Sequence, residues 1–182
     1  MREIETKIID FNEKKLRANL KKAGAKRIGK ILYRRHVFDM HPNAEAKTYD
    51  EFIRVRTDGK KNTLTYKYRK GKGLSNTEEI ELEVADFDNA AQIISKLWKK
   101  GRPRYYQENM VERWSCHGAE VDIVRWPGVK PYVEIEAESN KKIRTIVNEL
   151  DIGGVELGNA NLVEIFNRSG QHGKDTGDLK FG

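Results

Sequence analysis

The sequence contains a single cysteine, Cys116, and only four prolines. One cysteine excludes an intrachain disulfide framework and any zinc site with several cysteine ligands. No stretch approaches the ~18 consecutive apolar residues of a transmembrane helix. The first seven residues, MREIETK, carry charges where a secretory signal would be apolar. These absences predict a cytoplasmic protein with no membrane partner.

Charge is abundant instead, with 35 Lys and Arg against 28 Asp and Glu in 182 residues, a net charge of +7. Such an excess can indicate nucleic-acid binding. Much of it is concentrated in residues 14–30 and 99–104, on a predicted helix and loops, where charges are usually solvated. Nucleic acid is therefore a less favoured partner than a small molecule. The length predicts one domain over residues 1–168, followed by a polar, glycine-rich tail over 169–182, and it leaves a homodimer open.

Apolar residues at helical spacing predict helices after Asn12, after residues 86–88 and after residues 139–140, with a short helix over 162–168. Apolar residues that alternate with polar ones predict eight strands, over 2–10, 27–39, 51–57, 62–69, 77–85, 104–115, 119–126 and 131–138. The dipeptides Asp58-Gly59 and His117-Gly118 are typical of two-residue hairpin loops. A four-residue loop after the third strand would keep the same pairing parity.

Charged side chains share one face of these strands, since residues i and i+2 of a strand point the same way. They are Glu3, Glu5 and Lys7; Arg54 and Arg56; Lys67 beside Thr63 and Thr65; Glu79, Glu81 and Glu83; and Glu134 and Glu136. An ordinary half-exposed sheet would also alternate, but this face has almost no Ser, Asn or Gln, and helices are available to cover the apolar face. We therefore expect an α+β fold, an eight-stranded antiparallel β-barrel with a charged lumen, flanked by helices.

A lumen with both signs of charge indicates two kinds of ligand. Clustered carboxylates, without thiolate and with little imidazole, suit hard divalent cations such as Mg²⁺ or Mn²⁺. Arginine and lysine suit an anion with several oxygens, because arginine binds phosphate in a bidentate manner and lysine supplies a point charge. The pattern therefore predicts a site for a metal and a polyphosphate.

Five elements in this order resemble the CYTH or triphosphate-tunnel metalloenzyme family. They are an ExExK motif (Glu3 to Lys7), an RxR strand (Arg54 to Arg56), a strand with Lys67, an ExE strand (Glu79 to Glu81) and a late ExE strand (Glu134 to Glu136). The family includes class IV adenylyl cyclases, thiamine triphosphatases, inorganic tripolyphosphatases and some RNA triphosphatases. The resemblance covers residues 1–138 and implies an eight-stranded tunnel that binds a triphosphate with a divalent metal.

The resemblance also implies roles for individual residues. The metal ligands would be Glu3, Glu5, Asp122, Glu134 and Glu136. The phosphate-binding residues would be Lys7, Arg54, Arg56, Lys67 and Arg113, with Glu79 and Glu81 as supporting acids of the tunnel. Lys7 would also be a candidate base for water, and Glu3 and Glu5 would complete the catalytic set. With Glu83 included, eight acids oppose five bases, so the lumen is expected to be net acidic before metal binds.

One hairpin departs from the family pattern. The family's arginine on the sixth strand and aspartate on the seventh align with Val111 and Val124, whereas Arg113 and Asp122 lie two residues nearer the turn. Arg113 and Asp122 would be either an exposed cross-strand ion pair of ~0.2–1 kcal/mol or a lumen pair displaced along the tunnel. A displaced pair would change the grip on phosphate.

The leading functional interpretation is divalent-metal-dependent hydrolysis of a triphosphate compound: inorganic tripolyphosphate, thiamine triphosphate or a nucleoside triphosphate. The alternative is a class IV adenylyl cyclase, in which the ribose 3′ hydroxyl of ATP attacks the α-phosphorus and pyrophosphate leaves. A non-catalytic binder of triphosphate or polyphosphate is the second alternative. The sequence has no recognisable adenine pocket, which favours hydrolysis.

Overall fold

The computed structural model describes residues 4–40, 51–69, 77–98, 104–168 and 177–182. Within these ranges the chain forms nine strands and four helices. The strands are β1 (Glu5–Ile9), β2 (Lys26–Asp39), β3 (Glu51–Thr57), β4 (Asn62–Arg69), β5 (Thr77–Glu83), β6 (Arg104–Cys116), β7 (Ala119–Arg125), β8 (Tyr132–Glu136) and β9 (Val155–Gly158). The helices are α1 (Glu13–Lys22), α2 (Phe87–Leu97), α3 (Asn140–Glu149) and α4 (Leu162–Arg168).

All nine strands form one antiparallel sheet in the order β5-β4-β3-β2-β6-β7-β8-β1-β9. The α+β class, with helices flanking a large antiparallel sheet, is confirmed, and all eight expected strands are present. The described sheet differs from the expectation in having a ninth strand and in not being closed into a barrel. The ninth strand, β9, pairs with β1 on the edge opposite β8. Since both edges of β1 are thereby occupied, no pairing joins β5 to β9 among the described residues. The charged face of the sheet is a concave wall rather than the inside of a closed barrel.

The loop between β3 and β4 has four residues, so the expected two-residue loop is wrong. Asp58 Oδ1 accepts hydrogen bonds from the backbone N–H groups of Lys60 (2.8 Å) and Lys61 (2.7 Å), which closes the longer turn. A two-residue loop would have placed Arg54 opposite Thr63, whereas in the structure Arg54 lies opposite Thr65, a shift of two residues. Because the shift is even, the cations of β3 and β4 remain on the same face.

The hairpin between β6 and β7 has the expected two-residue loop. His117 (φ 48°) and Gly118 (φ 81°) adopt the positive backbone angles that such a turn requires. In the resulting register Arg113 lies opposite Asp122. The loop therefore determines which residues of the two strands face each other in the site described below.

The helices α1 and α3 cover the outer face of β1, β6, β7 and β8. Their buried side chains, Leu16 and Leu20 of α1 and Ile143 and Ile146 of α3, join one core cluster with apolar residues of these strands. The helix α2 covers β3 and β4 through a second cluster around Ala91. The apolar residues of one strand face thus pack on helices, and the charged residues of the opposite face, such as Arg54, Lys67 and Glu134, are left on the concave face.

An ion-pair network holds α1 against the outer face of β6. Glu112 is 3% exposed. It accepts hydrogen bonds from Arg17 Nη2 of α1 at 2.9 Å and from Arg27 Nε of β2 at 3.2 Å. Burial raises the pKa of the Glu112 carboxyl, but the hydrogen bonds and charges of the two arginines outweigh it, and its pKa falls below the usual value. The network therefore stabilises the side of β6 that faces away from the cavity.

The helix α4 lies on the concave side of the sheet, where Ile165 and Phe166 pack with Leu179 and with apolar residues of β6, β7 and β8. Residues 169–176 of the predicted tail lie outside the described residues, whereas Leu179 forms a bridge to Gln107 of β6. The division into residues 1–168 and 169–182 remains a prediction, as does the homodimer. Among the helices described, none combines the length and the apolar character needed to cross a membrane.

Candidate functional site

The concave face and α4 enclose a cavity of about 170 Å³. The charged residues that line it are Glu5, Lys7, Arg35, Arg54, Arg56, Lys67, Arg113, Asp122 and Glu134. In the described part of the chain, six cations face three carboxylates, an excess of three positive charges around the cavity. The expected net acidic lumen is therefore wrong for the cavity itself, because several acids of the same face lie beside it rather than around it.

The first wall consists of the cations of β3 and β4. Lys67 Nζ lies 3.1 Å from Glu79 Oε2, and Arg54 Nη2 lies 3.9 Å from Glu79 and 3.8 Å from Glu81. Arg56 Nη2 is also 3.8 Å from Glu81. The two glutamates of β5 thus flank the cations instead of lining the cavity. The contacts of Arg54 and Arg56 with these glutamates are longer than the ~2.7–2.9 Å typical of charge-assisted N–H···O bonds.

Arg35 of β2 belongs to this wall, although the sequence did not single it out. It pairs with Arg56 in the register, its guanidinium lies 4.8 Å from the Trp126 ring, and it donates to Asn109 Oδ1. Its Nε is buried without a hydrogen-bond partner in the described structure. Burial, followed by the charges of Arg54 and Arg56, lowers the pKa of Arg35 well below its usual value. An unsatisfied buried donor among three arginines is what an anion site requires.

The second wall consists of carboxylates on β1, β8 and β7, with Lys7 among them. Lys7 Nζ donates to Glu5 Oε1 at 2.7 Å and lies 3.4 Å from Glu134 Oε2. Lys7 pairs with Glu134, and Glu5 pairs with Glu136, which is exposed on the same face. Burial raises the pKa of Glu134, and the negative charges of Glu5 and Asp122 raise it further against the effect of Lys7. Burial is thus the main reason why the charged form of Glu134 is disfavoured.

Arg113 and Asp122 face the cavity, so they are not an exposed surface pair. Arg113 Nη2 lies 2.7 Å from both Asp122 Oδ2 and Glu120 Oε1, and the Asp122 side chain is 8% exposed. Burial disfavours the charge of Arg113, but Asp122 outweighs it and raises the pKa of the guanidinium. Burial, together with Asp122, raises the pKa of Glu120 to about 7.

The position of the Arg113–Asp122 pair follows from the register of β8. Asp122 lies directly opposite Glu134, which in turn lies opposite Lys7. The pair is therefore at the level of the carboxylate wall. Val111 and Val124 face each other two residues further from the His117-Gly118 turn than Arg113 and Asp122. Each is 4% exposed and belongs to an apolar cluster. Both valines also line the cavity, so a charge at either position would lie between the apolar cluster and the charged walls.

The donor set suits Mg²⁺ or Mn²⁺, because the acids of this wall offer only carboxylate oxygens. Among the described residues, however, no three acids, histidines or cysteines converge as a ready-made metal site. Glu3, one of the predicted ligands, lies outside the described residues. Glu5, Asp122 and Glu134 are therefore the residues that would hold a metal from this wall, with Glu136 at its exposed end.

The fold and this cavity define a protein with an antiparallel sheet whose concave face presents cations opposite carboxylates. The CYTH domain family model matches residues 1–161, and the chain belongs to that family. No curated protein matched the chain in sequence.

Solved structures share its fold at low sequence identity. The PH1012 protein of Pyrococcus horikoshii is 20% identical with a TM-score of 0.68, over 83% of this chain and 91% of that one. A candidate adenylate cyclase of Vibrio parahaemolyticus is 10% identical with a TM-score of 0.67, over 92% and 98%. HpAC1 of Hippeastrum, a candidate adenylyl cyclase described as having a dominant triphosphatase activity, is 18% identical with a TM-score of 0.63, over 94% and 97%.

Proposed function

We propose that the protein is a divalent-metal-dependent triphosphatase, which hydrolyses a phosphoanhydride bond of a triphosphate compound. The observation that carries this proposal is the arrangement of six cations and three carboxylates around one cavity. The cations match the charge of a polyphosphate, and the carboxylates match a divalent metal. The family includes both triphosphatases and cyclases, so the reaction itself is the part that needs an experiment.

In this proposal Arg35, Arg54, Arg56 and Lys67 bind phosphate oxygens from one wall, and Arg113 binds them from the other. Their charges stabilise the negative charge that shifts to the leaving oxygen. A water oxygen forms a bond to the terminal phosphorus, and the bond from that phosphorus to the bridging oxygen breaks. The products are orthophosphate and the shortened phosphate chain, and the proton that the water loses passes to a phosphate oxygen of the products or to solvent.

Lys7 has a different environment from the other cations. Its ammonium lies between Glu5 and Glu134 at 2.7 and 3.4 Å. We propose that it orients these two carboxylates and binds a phosphate oxygen from between them. A role as the base would require Lys7 to lose a proton while two carboxylates stabilise its charge. That role remains a prediction from the family resemblance.

A bound Mg²⁺ or Mn²⁺ would neutralise phosphate charge and polarise the phosphorus. Mg²⁺ is commonly held by one or two protein carboxylates together with substrate phosphates, and not by a complete protein cage. The absence of a convergent group of three ligands among the described residues fits that mode. We therefore propose that the metal binds together with the triphosphate, with Glu5, Asp122 and Glu134 on the protein side.

The size of the cavity favours hydrolysis over cyclisation. Its volume is about 170 Å³, whereas pockets that enclose drug-sized ligands occupy ~300–1,000 Å³. A cyclase must hold the base and ribose so that the 3′ hydroxyl meets the α-phosphorus. The described cavity suits the phosphate chain alone, with any organic group outside it.

The test is a panel of inorganic tripolyphosphate, thiamine triphosphate and ATP with Mg²⁺ or Mn²⁺, in which orthophosphate, pyrophosphate and cyclic AMP are measured. We expect metal-dependent release of orthophosphate. Pyrophosphate with cyclic AMP would indicate the cyclase, and binding without turnover of any compound would indicate a non-catalytic binder. The double substitution Glu134→Gln with Glu136→Gln should abolish turnover and preserve the fold. Persistent metal-dependent turnover in that variant would contradict the assignment of the metal wall.

A further inference from the structure

Tyr132, the first residue of β8, carries a hydroxyl whose hydrogen bonds are incomplete. The residue lines the cavity and is 4% exposed. Its oxygen accepts a hydrogen bond from Trp126 Nε1 at 3.3 Å. Within the described part of the chain, the O–H proton has no acceptor at hydrogen-bond distance. The hydroxyl is therefore satisfied as an acceptor and unsatisfied as a donor.

Trp126 connects this hydroxyl to Arg35 of the first wall. The Arg35 guanidinium lies over the face of the Trp126 ring, 4.8 Å from its centroid. The Nε1–H group that reaches Tyr132 lies at the edge of the same indole. Arg35 Nε is also buried without a hydrogen-bond partner in the described structure. Two donors without acceptors thus flank one indole ring that lines the cavity.

The surroundings make these missing hydrogen bonds costly. Tyr132 and Trp126 pack in one cluster with Val111 and Val124, and Val124 lies opposite Tyr132 in the register. A buried donor among such side chains has lost its water and gained no partner. A hydrogen bond made here is also stronger than one at the protein surface, because the local dielectric constant is low. Both donors therefore gain from an acceptor that enters the cavity.

A structural role alone accounts for only half of the Tyr132 hydroxyl. Satisfying the Trp126 N–H needs an acceptor, and the O–H donor takes no part in it. The charge of Arg35 also selects the kind of group that can complete both donors. An ammonium group would be repelled, whereas a phosphate offers negative charge and several oxygens that accept hydrogen bonds. The two donors together therefore suit an oxyanion.

We infer that Tyr132 is a substrate-binding residue, which donates its O–H to the phosphate group that also accepts a hydrogen bond from Arg35 Nε. Trp126 positions both donors, one over the face of its ring and one at its edge. Tyr132 thereby strengthens phosphate binding without adding a charge to the cavity. This inference rests on the proposed binding of a triphosphate in the same cavity and extends that binding to a neutral residue.

The substitution Tyr132→Phe removes the hydroxyl and keeps the ring. Calorimetric titration with inorganic tripolyphosphate, in the presence of a chelator that prevents turnover, measures the affinity. We expect roughly 10- to 150-fold weaker binding, the range for a hydrogen bond to a charged group. Unchanged affinity in this variant would overturn the inference. Tyr66→Phe is the matched control, because Tyr66 donates to Glu51 Oε1 at 2.8 Å away from the cavity, and its loss should leave the affinity unchanged.

Thermal unfolding distinguishes binding by Tyr132 from a purely structural role. A structural role alone would lower the Tm of the free Tyr132→Phe protein and leave its affinity for tripolyphosphate unchanged. A ligand that binds the folded state raises Tm by an amount that depends on its affinity. We therefore expect tripolyphosphate to raise the Tm of Tyr132→Phe by less than it raises the Tm of the unmodified protein. An equal rise at the same ligand concentration would count against the inference.

The combination of Arg35→Met with Tyr132→Phe tests whether the two donors bind one phosphate group. Loss of either donor leaves that group less well placed for the other. The loss of affinity in the double variant should therefore fall short of the product of the two single losses by about 2-fold or more. Losses that simply multiply would overturn the assignment of both donors to one phosphate group.

Titration of the unmodified protein separates this inference from the proposed function. If the unmodified protein fails to bind tripolyphosphate, the proposed function is wrong and the role of Tyr132 falls with it. If the unmodified protein and Tyr132→Phe bind tripolyphosphate equally well, only the role of Tyr132 is overturned.

Discussion

Replacement of Arg35 by methionine should separate binding from stability. Methionine is unbranched and adapts to gaps in a core, so Arg35→Met removes the charge and fills most of the same space. In the free protein the guanidinium is disfavoured by burial and by Arg54 and Arg56, which is the cause of its lowered pKa. A bound polyphosphate reverses this balance, because it provides acceptors for the unsatisfied Nε.

The expected magnitudes follow from these contacts. A hydrogen bond to a charged group contributes ~1.5–3 kcal/mol, which corresponds to roughly 10- to 150-fold weaker binding of tripolyphosphate. The free protein loses the charged hydrogen bond to Asn109 and the cation–π contact with Trp126, together worth ~2–5 kcal/mol. The substitution also removes the cost of burying the Arg35 charge and its repulsion by Arg54 and Arg56. Both of these changes raise the free energy of unfolding. We therefore expect the free energy of unfolding to change by less than ~1 kcal/mol, a shift of less than ~4 °C in Tm.

Calorimetric titration with tripolyphosphate and thermal unfolding of the free protein measure the two quantities. Arg34→Met is a matched control, because Arg34 is the preceding residue, is exposed and lies over the Phe87 ring on the outer face. It should bind tripolyphosphate as the unmodified protein does. Unchanged affinity in Arg35→Met, or an equal loss in Arg34→Met, would refute the assignment of Arg35 to the anion site.

Two further predictions concern a cavity residue and the outer face. We expect Lys7→Arg to retain most of kcat with an altered KM, since the contact with Glu5 needs a positive charge. A large loss of kcat at constant KM would instead indicate that Lys7 transfers a proton, which arginine cannot do. Glu112→Gln should lower the free energy of unfolding at neutral pH by ~1–3 kcal/mol. Because the folded pKa of Glu112 is depressed, this difference should be full above ~pH 5 and vanish as the pH falls through that pKa. Urea unfolding at a series of pH values measures this difference in the free energy of unfolding. Glu149→Gln is the control, because it breaks an exposed contact with His117. A loss of stability in Glu112→Gln that does not depend on pH would contradict the explanation.

The strands that carry the site could be predicted where their alternation is strict. The bounds of β3 and β4, residues 51–57 and 62–69, are those expected from the sequence. Lys67 falls on the face of Arg54 even though the loop is longer than expected, because a change of two residues preserves parity. The Arg113–Asp122 pairing also followed from the His117-Gly118 turn.

Arg35, the closing strand and the net charge could not be predicted, for physical reasons. Arg34 and Arg35 are adjacent, so a long strand with charge on both faces gives no sign of which arginine points inward. The strand β9 has four residues, too few to show alternation, and yet it occupies the edge of β1 that a closed barrel would need. The net charge of the cavity depends on which acids lie beside it, and that is set by the curvature of the sheet.

The glutamates of β5 have a consequence for handling the protein. In the described structure β5 is an edge strand, paired only with β4, and its outer side chains Ile80 and Leu82 are 57% and 58% exposed. Such an edge is a template for pairing with another chain, and like charges on it oppose that self-association. Glu81 and Glu83, whose side chains are 34% and 68% exposed, place such charges on this edge, whereas Glu79 is 13% exposed beside Lys67. Variants that neutralise them should be checked for aggregation by light scattering before any loss of activity is ascribed to the cavity.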